Sequence, residues 1–212
     1  MLLLLVPCLA LCQAKPRRGE VVGTGVPFGA SEEYLAAPRA GTLCRLVARD
    51  VVVAASDAGF AVHRLRFALP PSYGGTPRCC GGEEGIVHVN VRAPEADAAA
   101  APSGGRLRPY SATLDGDTFE LHVKICDDRG GVSAFLGAVA VGEEVHVPEI
   151  RAVDYVRGSR AAAMVCFGVG VTECVPAAEA LLRNGGEVRA LISCRDASQV
   201  VMGEALDALA ER

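Results

Sequence analysis

Arg108-Pro109-Tyr110-Ser111 is the stretch that says most about the fold of this 212-residue chain. It opens a segment in which apolar and polar side chains alternate, and this alternation predicts a β-strand. Two glycine-bearing motifs follow, Gly130-Gly131-Val132-Ser133 and Gly168-Val169-Gly170-Val171-Thr172, and each precedes a predicted helix. A cation, a phenol ring and a hydroxyl suit a ligand with a phosphate and an aromatic plane, and a helix start offers N–H groups to further phosphates. The three motifs therefore predict a site for aromatic ligands that carry phosphates.

The composition limits the class of protein. Half of the residues are hydrophobic and 5% are aromatic, which suits one large or two small globular domains. The formal net charge is −4, and no run of Lys and Arg is long enough to form a basic stripe. Such a chain has no general electrostatic attraction for nucleic acid, and we expect no nucleic-acid partner.

The first 14 residues, Met1–Ala14, are almost entirely apolar. A helix needs about 20 such residues to cross a bilayer, so this stretch predicts a targeting segment for the secretory pathway or an organelle. Small Ala14 followed by basic residues resembles a cleavage region, although no basic residue precedes the apolar core. The alternatives are an uncleaved segment, which would leave the protein associated with a membrane, and a mis-assigned start. Residues 15–40 are rich in Gly, Pro and Ala, which predicts a linker.

Residues 41–158 predict an antiparallel barrel. Short segments of alternating character recur between turn-forming residues, and one helix, Val132–Val139, comes late in the series. The six predicted strands are Val47–Ala54, Phe60–Leu69, Ile86–Arg92, Leu107–Thr113, Thr118–Cys126 and Glu144–Val147. This arrangement is typical of a closed barrel.

Residues 159–212 predict a different kind of unit. Ala161–Phe167 is a continuous apolar run, which fits a strand buried on both faces of a parallel sheet. A helix over about Glu173–Arg183, a strand over Glu187–Ser193 and a helix over Ser198–Glu211 follow. The fold class is therefore β plus α/β, a six-stranded antiparallel barrel followed by an incomplete doubly wound parallel-sheet lobe.

Nine cysteines and four histidines form no evident disulfide or metal pattern. Cys8 and Cys12 lie in the predicted targeting segment, and Cys79-Cys80 lies in a predicted loop, where redox or metal chemistry is an alternative. Zinc-ligand spacing is missing, and the histidines fall on separate predicted strands. We therefore expect no metal site, and free thiols that pack as small core residues. The cysteines in apolar or alternating stretches are Cys44, Cys126, Cys166 and Cys194.

The order and spacing of the motifs resemble the ferredoxin reductase-like flavoproteins, closest to the cytochrome b5 reductase branch. The resemblance covers about Gly41 to Leu209 and is better in the barrel than in the second lobe. It implies FAD bound on the barrel and NADH or NADPH bound on the second lobe. The segments that carry it are Gly85–Val89, Arg108–Ser111, Val123–Ile125, Gly130–Ser133 with Phe135–Leu136, Val141–Val145 and Gly168–Thr172.

The resemblance implies roles for the first motif. Arg108 would pair with the FAD pyrophosphate, because its planar fork can contact phosphate oxygens in two places. Tyr110, which follows Pro109 in the motif, would pack against the flavin, and Ser111 would hydrogen-bond near the reactive edge of the ring. The alternative is a surface arginine and a half-buried tyrosine on an ordinary barrel strand.

The second motif is implied to anchor the pyrophosphate. The N–H groups of Gly131, Val132 and Ser133 would form the first turn of a helix, and Ser133 would add its hydroxyl. An ordinary glycine turn with a serine cap is the alternative. By family position Lys124 would line the flavin or acceptor side, and a solvated lysine is the alternative.

The third motif is implied to bind the nicotinamide cofactor. Gly168 and Gly170 would let it approach the backbone, and Thr172 would lie beside the flavin where hydride crosses. The chain departs from the family here, since Phe167 replaces a glycine and Glu173 replaces a proline. An acidic Glu173 close to the pyrophosphate would repel it.

The implied activity is hydride transfer from NADH or NADPH to FAD, followed by electron delivery to a haem protein, an iron–sulfur protein or a small acceptor. Ser111 and Thr172 would be the residues nearest the reaction. Arg195 would contact a ribose phosphate by family position, and an exposed arginine at a helix entry is the alternative. About 45 residues follow Gly168, fewer than a typical domain contains. Two alternatives remain: a flavin-binding electron-transfer or interaction module without nicotinamide chemistry, and an incomplete gene model of an ordinary reductase.

Overall fold

The strands between Thr42 and Val153 form a closed barrel. The computed structural model describes residues 42–56, 60–70, 86–94, 107–126, 131–153 and 159–212. The six strands run in the order β1-β2-β5-β4-β3-β6 around the barrel, and every neighbouring pair is antiparallel. The predicted antiparallel barrel of six strands is confirmed. The strands are β1 (Thr42–Val53), β2 (Val62–Ala68), β3 (Ile86–Arg92), β4 (Leu107–Asp115), β5 (Thr118–Lys124) and β6 (Glu144–Val153).

The barrel interior is filled by the apolar face of each strand. Val87, Val89 and Val91 of β3 are at most 1% exposed, as their alternation predicts. The rings of Phe67 and Phe119 stack with centroids 5.2 Å apart across the β2–β5 ladder. Burying a side chain of this kind stabilises the fold by about 1.5–3 kcal/mol. The interior is therefore a packed core, and ligands must bind at the barrel surface.

Three strands are longer than the sequence predicts, β4 by only two residues at its end. β1 begins at Thr42 because its first residues pair with β6 before the strand turns to β2. β6 continues past Val147 to pair with β3. A register shift opposite Asn90 and Arg92 accommodates Pro148 at this crossing, and a bulge is where a sheet tolerates proline.

Helix α1, Gly131–Ala138, lies between β5 and β6 and is tied to β1 by Arg49. The Arg49 guanidinium donates to the carbonyl oxygen of Leu136 at 2.8 Å and to those of Gly137 and Val139. A cation at the carboxyl end of a helix satisfies its last carbonyl groups and favours its dipole. This contact fixes the direction of α1, and so the place of its amino end.

The elements from Ala161 to Ala210 form the predicted parallel lobe. Strands β7 (Ala161–Phe167) and β8 (Glu187–Ser193) pair in parallel, connected by a 3-10 turn at Gly168–Gly170 and helix α2 (Val171–Arg183). Helix α3 (Gly203–Ala210) begins five residues later than predicted, because Asp196 accepts the N–H of Ser198 and holds a separate turn there. Within the described ranges, no helix has the length and apolarity needed to cross a bilayer. The predicted targeting segment, the linker and Cys79-Cys80 lie outside the described residues.

The prediction that Ala161–Phe167 is buried on both faces is wrong. Val165 is 59% exposed and Phe167 is 70% exposed, while Leu191 beside them on β8 is 45% exposed. The buried face packs against α2 and against Val53 and Val62 of the barrel. Among the described residues the sheet has two strands, and its other face is open. The lobe is therefore attached to the barrel through one shared apolar cluster.

The prediction of free cysteines is wrong for one pair. Cys166 at the end of β7 forms a disulfide with Cys174 in the first turn of α2. The pairing depends on the tight turn between them, which folds the helix back onto the strand, and sequence spacing alone does not reveal it. Cys44 is a free, buried thiol as predicted, and its burial, with the nearby charge of Glu144, raises its pKa to about 12. Cys126 is also free, and half-buried.

The disulfide stabilises the glycine turn that it spans. Its two cysteines are eight residues apart. Because the disulfide removes the entropy of this loop from the unfolded chain, it should stabilise the folded state by about 2–3 kcal/mol. We expect Cys174→Ser to lower the free energy of unfolding by this amount in urea denaturation. A reductant should lower the free energy of unfolding of the wild type to that of the variant. Cys126→Ser is the control, because Cys126 has no disulfide to lose. Equal stability of the two variants would contradict the prediction.

Candidate functional site

The Arg-Pro-Tyr-Ser motif occupies the first residues of β4. Arg108 and Pro109 are exposed, and Tyr110 is half-buried against the barrel core. Burial raises the pKa of Tyr110 to about 12, opposed in part by the charge of Arg108. The phenol therefore stays neutral at physiological pH and presents an aromatic ring beside an exposed cation.

This motif lies next to the start of α1. The start of β4 lies beside the end of β5, since the two strands are antiparallel. Cys126, just after β5, is within electrostatic range of Tyr110, and its N–H donates to Ser133 Oγ at 3.3 Å. The structure thus brings Arg108 and Tyr110 of β4 and the first turn of α1 to one side of the barrel, which we call the motif face.

The amino end of α1 is suited to an anion. Gly131 has φ +78°, a conformation that glycine adopts without strain. Residues 131–134 include no acidic side chain, so nothing in the first turn of α1 offsets the positive end of the helix dipole. Val132 is buried, so the polar groups of the turn are its backbone N–H groups and the Ser133 hydroxyl.

Ser111 points to the other side of β4, where it meets the second lobe. It lies opposite His88 on β3, and both side chains bind Glu173 from the first turn of α2. His88 Nε2 is 2.9 Å from each carboxylate oxygen, and Ser111 Oγ donates to Oε2. Burial raises the pKa of Glu173, but the hydrogen bonds from His88 and Ser111 outweigh it, and the pKa lies below its ordinary value.

The role of His88 and Glu173 was missed by sequence reasoning. The sequence placed Glu173 close to a pyrophosphate as a repelling charge, whereas its carboxylate faces the barrel and is shared between two donors. The available signals were the polar face of β3 and the acidic residue at the end of a glycine turn. Neither signal indicates that the hydrogen-bond partners of Glu173 lie on β3 and β4, because that contact forms only when the second lobe docks on the barrel.

The glycine turn borders a cleft between the lobes. Gly168 has φ +53°, and Gly170 has helical angles. A methyl group added at Gly170 would meet no heavy atom of the described residues within 4 Å. Thr172 Oγ1 donates to the carbonyl oxygen of Val169 at 2.9 Å, so its hydroxyl caps the turn. The backbone at Gly170 is therefore open to close approach.

The cleft has a volume of about 410 Å³. Two cations reach it from opposite lobes, Lys124 at the end of β5 and Arg195 after β8, and the Lys124 ammonium lies 4.7 Å from the centre of the Phe60 ring. Cations around a glycine turn suit a phosphate-bearing ligand. The lining residues are Phe60, Val62, Lys124, Phe167, Gly168, Val169, Ser193, Cys194, Arg195, Gln199 and Val201.

No family model and no curated protein matches the sequence, but solved structures match the fold. Phthalate dioxygenase reductase shares 19% identity over 78% of this chain and 47% of its own, with a TM-score of 0.58. The CS-b5R domains of human Ncb5or, solved in the NAD+ form, share 15% over 80% of this chain and 48% of their own (0.57). Ferredoxin-NADP+ reductase from Plasmodium falciparum, as its H286L mutant, shares 12% over 81% and 65% (0.56).

The chain has the ferredoxin reductase-like fold. This confirms the resemblance seen in the sequence at the level of architecture. The chain spans about half the length of phthalate dioxygenase reductase and of the Ncb5or domains. Glu173 links α2 of the second lobe to β3 and β4 of the barrel.

The bonds of Glu173 predict a pH-dependent stability. Glu173→Ala removes two hydrogen bonds to a charged group and should lower the free energy of unfolding by about 1–2 kcal/mol at neutral pH. Because the folded-state pKa is lowered, this contribution is complete above the ordinary pKa and is lost as pH falls through the folded-state value. Urea denaturation at neutral pH and in acid measures the gap between wild type and variant. Glu179→Ala, on the same helix, is the control; a gap that stays constant into acid would contradict the assignment.

Proposed function

We propose that the protein is a FAD-dependent oxidoreductase that passes electrons from NADH or NADPH through the flavin to a haem, iron–sulfur or small-molecule acceptor. The observation that carries the proposal is the placement of Arg108, Tyr110 and the first turn of α1 on one side of the barrel. Phthalate dioxygenase reductase, which shares the fold, is described as transferring electrons from pyridine nucleotides to [2Fe-2S].

The residues of the motif face fit FAD. Arg108 would pair with the pyrophosphate together with the N–H groups of Gly131 and Val132, since cation and helix dipole act on the same charge. Tyr110 would pack its neutral ring on the isoalloxazine, and Ser133 stays fixed by the N–H of Cys126. When bound, the flavin supplies the exchange between two-electron and one-electron transfer.

The cleft fits the nicotinamide dinucleotide. Lys124 and Arg195 would bind its phosphates, and Gly168 and Gly170 would let the dinucleotide come close to the protein backbone. Thr172 lies in the first turn of α2, one residue before Glu173. Holding both ligands at this junction orients the two rings and excludes water from their contact, which is the protein's main contribution to such a reaction.

A flavin-binding module without nicotinamide chemistry is the second candidate. It is favoured by Phe167, which is 70% exposed at the glycine turn and lines the cleft, and by the Thr172 hydroxyl, whose hydrogen is used within its own turn. Anaerobic addition of NADH or NADPH to the flavin-loaded protein separates the two. Bleaching of the flavin absorbance supports the oxidoreductase, whereas a yellow protein that stays oxidised with both supports the module.

Arg108→Ala tests the flavin site. Loss of a charge-assisted phosphate contact should weaken FAD binding about tenfold or more in a fluorescence titration. Arg45→Ala is the matched control, because Arg45 lies on β1, directly across the barrel from β4, in an exposed ion pair with Glu144 that contributes little. If both variants bound FAD as the wild type does, Arg108 would not be a flavin ligand.

Gly170→Ala tests the nicotinamide site. The helical angles at Gly170 and the space around it admit a methyl group, so stability should change by no more than about 0.5 kcal/mol. The methyl group would keep a dinucleotide from close contact with the turn, so flavin reduction by subsaturating NADH or NADPH should slow about tenfold. FAD affinity serves as the internal control and should not change. An unaltered reduction rate would remove the glycine turn from the proposed site.

A further inference from the structure

The glycine turn and the first turn of α2 are weakly restrained by their own backbone. Gly168 and Gly170 are conformationally permissive residues, and Gly170 precedes α2 without a side chain that could cap it. Pro176 lies inside α2 and has no N–H, so the carbonyl oxygen of Thr172 lacks the hydrogen bond that residue 176 of a helix would otherwise donate. Other contacts must therefore hold the start of this helix in place.

The Cys166–Cys174 disulfide supplies such a contact. Cys166 lies next to the end of β7, in the apolar cluster shared by the barrel and the lobe, and Cys174 lies in the first turn of α2. Glu173 ties the same turn to the barrel rather than to β7, and the bond from Thr172 Oγ1 to Val169 stays within the turn. The disulfide is therefore the cross-link that fixes the start of α2 to its own strand, with the glycine turn between them.

The glycine turn that the disulfide spans is part of the wall of the cleft. Gly168 and Val169 both line it. A ligand in the cleft thus meets backbone whose position depends on the cross-link. If the cross-link were absent, the turn would have to be ordered when the ligand binds, and the entropy lost in ordering it would reduce the affinity.

The two cysteines differ in exposure, which sets how the disulfide can be reduced. Cys166 is 2% exposed, whereas Cys174 is half-buried. The thiolate of a dithiol reductant therefore attacks Cys174 Sγ and forms a mixed disulfide there, and Cys166 leaves as a thiolate that takes up a proton. The second thiol of the reductant then displaces Cys174. The products are two protein thiols and the oxidised reductant, with two electrons and two protons transferred to the protein.

We propose that the Cys166–Cys174 disulfide is a redox-sensitive positioning element of the nicotinamide site. The intact disulfide holds the glycine turn in place for NADH or NADPH, and reduction by a dithiol releases the turn and weakens the binding of the dinucleotide. FAD stays bound, because Arg108, Tyr110 and the first turn of α1 all belong to the barrel unit. The inference rests on the proposed function, since it takes the cleft to be the dinucleotide site.

The experiment compares the disulfide and dithiol forms of the full chain loaded with FAD. The protein is reduced with dithiothreitol and desalted, and its thiols are titrated. Calorimetry then measures the dissociation constants of NAD+ and NADP+, and flavin absorbance measures the rate of reduction by subsaturating NADH or NADPH. We expect the dissociation constant to rise about tenfold in the dithiol form, as when one more backbone residue must be ordered on binding, and flavin reduction to slow by the same factor. Reoxidation with oxidised glutathione should restore both values.

Two variants show which cysteines are responsible. Cys174→Ser should bind NAD+ or NADP+ about tenfold more weakly than the disulfide form of the wild type, and dithiothreitol should no longer change its affinity. Cys194→Ser removes the free thiol that lines the cleft and should keep the wild-type ratio between the two forms. Circular dichroism checks that each protein is folded, and the reversible change in the wild type decides the question if Cys174→Ser does not fold.

The possible outcomes separate this inference from the proposed function. Equal dissociation constants in the two forms, or a disulfide that dithiothreitol leaves intact, would overturn the inference, while bleaching of the flavin by NADH or NADPH would still support the proposed function. A redox response that disappears in Cys194→Ser would assign the effect to the cleft thiol instead. An equal loss of FAD affinity would indicate a general loosening of the fold and would also overturn the inference. Failure of the disulfide form to bind either nucleotide would overturn the proposed nicotinamide site and the inference together.

Discussion

Closure of the barrel is the constraint on which the rest of the molecule depends. β1 pairs with both β2 and β6, so the six strands have no free edge, and β4 is enclosed between β3 and β5. This position gives the Arg-Pro-Tyr-Ser motif two neighbours that are distant in sequence. β5 brings the first turn of α1 beside Tyr110, and β3 brings His88 beside Ser111. The motif face is thus a consequence of strand order.

The second lobe completes the site through one polar and one apolar contact. Val53 and Val62 of the barrel pack with Cys166 and Val175 of the lobe. This apolar contact holds the two units together but does not determine which reaction the protein carries out. Glu173 adds specificity, because a partly buried carboxylate is costly unless donors meet it. Its two donors come from β3 and β4. The same contact therefore sets the docking of the lobe and the hydrogen bonding of Ser111.

Much of the architecture follows from the sequence, because strands and helices leave periodic patterns. The alternation around Val89 identified β3, and the Gly-rich segment at Gly168 marked the change from barrel to parallel lobe. Strand extensions were missed because β1 and β6 each continue onto a second partner, which no local pattern records. The Cys166–Cys174 disulfide and the bonds of Glu173 were missed for the same reason. Both require the geometry of a turn and the docking of two units.

A crystal structure of the full chain with FAD tests the central claim most directly. The account predicts density for the pyrophosphate between the Arg108 guanidinium and the first turn of α1, and for the isoalloxazine against Tyr110. FAD bound elsewhere, or bound without contact to both Arg108 and the start of α1, would contradict the account.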